Sequence, residues 1–159
     1  MTVDAVSREG LTIDLERPDQ EEVIGLIDAL DAYQKPLYPL ESFHGIDLEE
    51  LLQPQVLFAV ARESGRAVGC GAVVVSPEHG ELKRMYVDPR CRGRGIGGRL
   101  LAFIEAAATR QGCRRFVLET GIHQEEALAL YERFGYTRCG PFGSYQADPM
   151  SVFMVKLRT

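Results

Sequence analysis

The sequence predicts one α/β domain, a mixed sheet covered by helices on both faces. Three observations lead there. Segments with helical periodicity alternate with short apolar runs of strand character along the chain. Near the middle, three strand-like runs follow one another with only tight turns between them, which makes a meander of antiparallel neighbours. The stretch Glu81–Leu101, ELKRMYVDPRCRGRGIGGRLL, then passes from strand through a glycine-rich turn into a helix.

Leu11, Ile13 and Leu15 alternate with polar residues, as in an edge strand. Arg17-Pro18-Asp19 breaks it. Asp19 is expected to cap the next helix, with Glu22 completing a capping box. Val23, Leu26, Ile27 and Leu30 share that helix's apolar face. Tyr33 to His44 (YQKPLYPLESFH) is irregular, and Asp47 to Leu52 reads as a short helix stopped by Pro54. The acidic residues of this region form solvated faces or attract a cationic amine.

Val56 to Ala61 is a buried strand, Glu63-Ser64-Gly65-Arg66 a hairpin turn, and Ala67 to Val75 the returning strand. Gly69 and Gly71 within it imply a bulge or close packing. Pro77 to Gly80 turns into the central strand, where Leu82, Met85, Tyr86 and Val87 suit β structure. Asp88-Pro89 ends it, because proline removes a donor and biases its neighbour away from helix. Ile96, Leu100, Ile104 and Ala107 follow at helical spacing, and Gly112 supplies the stop. Arg115 to Thr120 is another strand, and Gln124 to Phe134 a helix ended by Gly135. In the tail one strand is clear, with Phe153, Val155 and Leu157 alternating with Val152, Met154 and Lys156.

A length of 159 residues suits one domain spanning residues 1–159. Hydrophobic content of 45% and charged content of 26% are ordinary for a globular protein. The net charge of −5 argues against general nucleic-acid binding. No apolar run approaches the roughly 20 residues of a membrane helix, so no membrane partner is expected. The opening MTVDAVSREG lacks the apolar core of a signal peptide. Cys70, Cys91, Cys113 and Cys139 are widely separated, which fits reduced thiols and a cytoplasmic location. His44, His79 and His123 are not at metal-ligand spacing, and no metal is expected.

Chemistry concentrates at the glycine-rich turn. The first amides of a helix have no internal partner, and the helix dipole is positive there. Gly93, Gly95, Gly97 and Gly98 let a phosphate reach those amides without striking a Cβ. Arg90, Arg92, Arg94 and Arg99 add positive charge at the same turn. Gly93 to Gly98 also satisfies G-x-G-x-x-G, with Glu119 about 20 residues on, as a dinucleotide-dependent oxidoreductase would require. Against that reading, Asp88 to Arg92 separate the strand from the first glycine, and too few residues follow Gly98 for the second half of a dinucleotide fold.

These residues resemble the GNAT superfamily of acyl-CoA-dependent N-acyltransferases. Its signature, Arg/Gln-x-x-Gly-x-Gly/Ala after a strand and opening a helix, is matched by Arg90-Cys91-Arg92-Gly93-Arg94-Gly95, and again from Arg92. LYERFGY is similar to the family's second motif, and the resemblance covers about Val56 to Tyr136. The tail, GPFGSY and DPMSVFMVKL, looks like a bacterial branch of unknown substrate.

The resemblance implies a mixed, mostly antiparallel sheet whose central strands splay apart. Acetyl-CoA would be the cosubstrate. Its pantetheine would pair with Met85, Tyr86 and Val87. Its pyrophosphate would sit on amides of Arg92, Gly93, Arg94, Gly95, Ile96 and Gly97, with Gly98 at the helix start. Gln124 stands where many relatives carry an asparagine that contacts CoA. Tyr131 matches the acid that protonates the CoA sulfur, and Glu119 or Glu81 matches the general base of different relatives. The acceptor, a small-molecule or peptide amine, would meet Tyr33, Tyr38, Phe43, His44, Phe142 and Tyr145. A homodimer is allowed. The same fold also serves noncatalytic acyl-CoA-binding modules, and retention of Tyr131 with two candidate bases favours the enzyme.

Overall fold

A computed structural model describes residues 10–39 and 46–158. Its centre is a seven-stranded sheet in the order β1-β2-β3-β4-β5-β7-β6. The strands are β1 (Leu11–Leu15), β2 (Val56–Glu63), β3 (Arg66–Val75), β4 (Gly80–Val87), β5 (Arg115–Gly121), β6 (Thr137–Cys139) and β7 (Ser151–Leu157). Every neighbouring pair is antiparallel except β4 and β5. The helices are α1 (Glu21–Gln34), α2 (Leu48–Leu51), α3 (Ile96–Thr109) and α4 (Glu125–Arg133). No helix among the described residues is long and apolar enough to cross a membrane.

The two faces of the sheet bury separate apolar clusters. Leu100, Leu101, Ile104 and Ala108 of α3 pack on one face with Phe116, Leu118 and Met154. Val23, Leu26, Ile27 and Leu30 of α1 pack on the other with Phe58, Val60 and Cys70. Both helices owe this to apolar residues recurring at helical spacing, while the central strands carry apolar side chains on both faces. All four cysteines are free.

Two features differ from the sequence expectation. The residue capping α1 is Gln20, and it makes no side-chain cap. Asp19 is instead paired with Arg17 at 2.8 Å, and Glu22 is drawn away to Arg62 and to the Ala67 amide. Local charge partners thus outcompete the capping box. The tail also contains a second strand, β6, which is three residues long and too short to display an alternating pattern. It pairs with β7 from Thr137↔Val155 to Cys139↔Phe153.

The expected irregularity at Gly69 and Gly71 is present, with the extra residue on the opposite strand. Cys70 pairs with Tyr86 and Ala72 with Lys83, so Arg84 and Met85 together face Gly71. A Cβ at Gly71 would lie 2.3 Å from the Met85 sulfur, which is why the bulge needs glycine opposite it. Arg84 takes a left-handed backbone (φ 57°), a strain of roughly 1–2 kcal/mol for a side chain with a Cβ. Its guanidinium offsets this through two bonds to the Ile46 carbonyl, at 3.0 and 2.8 Å, and a pair with Asp31.

Below the bulge, β4 and β5 pair from Gly80↔Phe116 to Leu82↔Leu118 and then part. The splay that the sequence resemblance implied is therefore built into this sheet. It leaves the β5-facing edge of Met85, Tyr86 and Val87 without a strand partner.

Candidate active site

β4 reaches the glycine turn through a short 3-10 turn at Pro89–Cys91, which Asp88 caps by accepting from the Arg90 amide at 2.9 Å. Gly93 and Gly95 have φ of 79° and 78°, and a Cβ built on either would meet nothing within 4 Å. The backbone is left-handed and bare on its outer side, as an anion cradle requires. At this end of α3 the Arg99 amide donates to the Gly95 carbonyl at 3.1 Å, and the amides of Ile96, Gly97 and Gly98 precede that bond. A diphosphate fits this turn.

The arginines contribute less free charge than their number suggests. Arg94 pairs with Glu63 at 2.7 Å, and Arg90 with Asp88 at 2.9 Å. Arg92 donates to the Val87 carbonyl at 3.1 Å and lies over the Tyr86 ring. Hydrogen bonds from Arg94 and Arg90 hold the Glu63 and Asp88 carboxyls below their ordinary range. The last two glycines of the turn have a packing role as well. A Cβ on Gly98 would lie 2.6 Å from the Phe134 ring, and one on Gly97 would meet Leu130 at 3.2 Å and Val87 at 3.8 Å. The start of α3 is thereby locked to α4 and to the end of β4.

A cleft opens where β4 and β5 part. Leu118, Glu119, Thr120, Gly121, Gln124, Ala127 and Tyr131 line it from β5 and α4, Lys83, Arg84 and Met85 from β4, and Leu30, Gln34, Tyr38 and Ile46 from α1 and the segment after it. Tyr131 is 6% exposed, with its ring edge-on to Tyr136 at 5.8 Å. Burial alone pushes its hydroxyl well above the usual tyrosine range, so it holds its proton through neutral pH. Glu119 accepts from the Ser151 hydroxyl at 2.7 Å.

Glu81 stands apart from this pair. It accepts from the Tyr145 hydroxyl at 2.6 Å and pairs with Lys83 at 3.2 Å, while Lys83 also donates to Tyr145 at 2.6 Å. Burial, reinforced by the Glu81 contact, raises the Tyr145 hydroxyl far above its ordinary range.

The candidate acceptor residues divide. Tyr38 lines the cleft, accepts from the His123 amide at 3.1 Å and stacks on the His123 ring. Burial raises its hydroxyl above the ordinary range. Gln124, expected at CoA rather than at the acceptor, also lines the cleft, and Gln34 donates to it at 3.4 Å. Phe142 and Tyr145 form an aromatic cluster with Phe153 beside the cleft, where Lys83 donates to Tyr145. Tyr33 is 47% exposed and does not line the cleft, because it falls on the outer side of the last turn of α1. Phe43 and His44 lie outside the described residues. Sequence reasoning missed Gln34, Lys83, Arg84, Thr120 and Gly121. Of these, only Lys83 carried a signal, its two-residue spacing from Glu81 on one face of β4.

Comparison with known proteins agrees with this geometry. Residues 16–136 match the family model for the acetyltransferase (GNAT) family. An IAA acetyltransferase of Azospirillum brasilense is 48% identical over 148 residues, covering 92% of this chain and 97% of that one. A crystal structure from Klebsiella pneumoniae, named for acyl-CoA N-acyltransferase activity, is 44% identical with a TM-score of 0.80, covering 94% of this chain and 98% of the other. The PaiA N-acetyltransferase of Thermoplasma acidophilum, solved in complex with coenzyme A, shares the fold at 17% identity, with a TM-score of 0.70 over 92% of this chain and 98% of that one. The arginine-glycine turn, the parted strands and these likenesses together place the chain in the GNAT family of acyl-CoA-dependent acetyltransferases.

Proposed function

We propose that this acetyltransferase transfers the acetyl group of acetyl-CoA to a primary amine by direct attack, with Tyr131 as general acid and Glu119 as general base. One observation carries the assignment. Glu119 and Tyr131 line the same cleft, which opens where β4 and β5 part, and Leu130 ties that part of α4 to the glycine turn.

Acetyl-CoA supplies the activated thioester carbonyl. Amides from Arg92 to Gly97 would hold its diphosphate, and the open edge of Met85 to Val87 would take its amide-bearing arm as an added strand. Glu119 would accept a proton from the acceptor amine, directly or through a water, which leaves a neutral nucleophile. Tyr131 holds a proton within the cleft for a departing thiolate. Both carboxylates have partners, but Glu119 lines the cleft with Tyr131 and Glu81 does not, and this favours Glu119 as the base. Tyr38, Gln34 and Gln124 form the polar wall that an amine-bearing acceptor would meet.

The experiment has two arms. Acetyl-CoA should raise the melting temperature by mass action, with NAD and ATP doing so far less. An amine panel, read by thiol release, should then show acceptor-dependent turnover. An equal shift with NAD, or thiol release indifferent to every amine, would overturn the reading.

A further inference from the structure

Glu105 is a charged residue buried in the core, at 3% exposure. It lies on α3, two turns beyond the glycine turn, on the face that meets the sheet. One carboxylate oxygen accepts from the Lys156 ammonium of β7 at 2.8 Å. The other accepts from the Tyr136 hydroxyl at 2.8 Å. The same ammonium lies 5.6 Å from the centre of the Tyr136 ring. Tyr136 is 2% exposed, its ring meets Tyr131 edge-on, and its amide donates to the Tyr131 carbonyl at 3.0 Å.

Stability is a weak reason for such a group. Desolvating an ion pair often outweighs its attraction, and apolar replacements of similar volume are frequently neutral or better. Fixed geometry is the stronger reason. The carboxylate is held by Lys156 and in turn holds the Tyr136 hydroxyl, so the Tyr136 ring cannot swing away about its Cα–Cβ bond without breaking that hydrogen bond. Among the described residues, none offers the Tyr131 hydroxyl a comparable tether. The Tyr131 ring rests edge-on against Tyr136, with the centroids 5.8 Å apart. Tyr136 supplies that surface and holds the Tyr131 backbone as well.

We propose that Glu105, Lys156 and Tyr136 form a buried positioning network that aims the Tyr131 hydroxyl into the cleft. The inference rests on Tyr131 being the proton donor. The network joins α3, which carries the glycine turn, to α4, which carries the acid, and to β7, whose Ser151 orients Glu119. Glu105 and Tyr136 are positioning residues, since neither lines the cleft.

The test is a double-mutant cycle, read as kcat with chemistry rate-limiting, together with melting temperature and acetyl-CoA affinity. Tyr136→Phe keeps the ring and removes its tether. It should lower kcat about tenfold, the scale of a misplaced catalytic group, while acetyl-CoA affinity stays within twofold. Glu105→Gln retains an oxygen for the Tyr136 hydroxyl and should lose less than Tyr136→Phe, so it also serves if the latter folds poorly. In a Tyr131→Phe background, Tyr136→Phe should change kcat less than twofold, because the group it acts through is gone. Equal losses in both backgrounds, or wild-type kcat in folded Tyr136→Phe and Glu105→Gln proteins, would overturn the network's role. Wild-type kcat in Tyr131→Phe alone would remove the acid assignment first and the network with it, a separate and recognisable result.

Discussion

Tyr38 seats its hydroxyl directly over Gly121: a Cβ on Gly121 would lie 1.7 Å from that oxygen. The end of β5 thus carries no side chain because one wall of the cleft occupies the space. Gly121→Ala should push Tyr38 off the His123 amide and deform the acceptor end of the cleft. Acceptor kcat/KM should fall by up to about 10²-fold, the scale expected when a positioning group moves by ~1 Å. Acetyl-CoA affinity should stay within a few-fold. Unchanged acceptor kinetics would mean that Tyr38 does not shape acceptor binding.

Gly95 separates charge from shape at the glycine turn. Its φ of 78° suits Asn and Asp better than other side chains, and a Cβ there meets nothing. Gly95→Asn and Gly95→Asp therefore carry similar strain and differ by one negative charge. CoA affinity should drop much further in the Asp variant, by tenfold or more relative to Asn. Matched affinities by calorimetry would show that the diphosphate lies elsewhere.

Tyr131→Phe keeps the ring and its packing on Tyr136. Loss of a positioned acid should lower kcat roughly 10²–10⁴-fold, with acetyl-CoA affinity nearly intact. Burial raises the Tyr131 hydroxyl above the ordinary value near ~10, so its deprotonation limb lies above that pH. An alkaline decline at lower pH has another source and should persist in the variant. Near-normal turnover in a folded Tyr131→Phe protein would falsify the acid role.

The two candidate bases should behave differently. Glu119→Gln keeps the volume and an acceptor for Ser151 but removes proton acceptance, so kcat should fall by ~10²-fold or more at neutral pH. Glu81→Gln should leave kcat within a few-fold and lower the melting temperature, because it weakens the contact with Lys83 and Tyr145. The reverse pattern would transfer the base role to Glu81.

Arg62 ties Glu16 and Glu22 to the β2–β3 hairpin, and its hydrogen bonds hold both carboxyls below their ordinary range. A carboxyl with a depressed folded pKa contributes stability above its unfolded value and loses it as pH falls through the folded one. Stability from this cluster should therefore be complete at neutral pH and decline below about pH 4.5. Arg62→Met should cost about 1 kcal/mol at pH 7, since Glu22 is half in water and screening weakens its share. That corresponds to a fall of ~2–4 °C in melting temperature. At pH 3 the difference between variant and wild type should shrink; an equal difference at both pH values would deny the cluster its electrostatic role.

Much of the fold was legible because its signals are local. Alternation marked β1 and β7, helical spacing marked α1, α3 and α4, and Ser64-Gly65 marked a turn whose two positive φ values, 51° and 85°, match the hairpin twist. The phosphate-binding character of Gly93 to Gly98 was legible for the same reason, since bare backbone at a helix start is a property of consecutive residues. By itself, then, the sequence determined the elements, the glycine turn and the family resemblance that named Tyr131 and the two glutamates.

Tertiary structure decided what depends on residues distant in sequence. Pairing with Lys83 and Tyr145 set Glu81 apart from Glu119, and no local pattern distinguishes two carboxylates on neighbouring strands. Gly121 could not be read as a seat for Tyr38, because the two meet only when the α1 side closes over β5. Glu105 looked like any helix residue until β7 and Tyr136 closed around it. The Asp19–Glu22 capping box failed because Arg62, from another strand, offered Glu22 a stronger partner than a helix amide. In each case a short-range preference was outweighed by a charge or a packing surface that folding brought near.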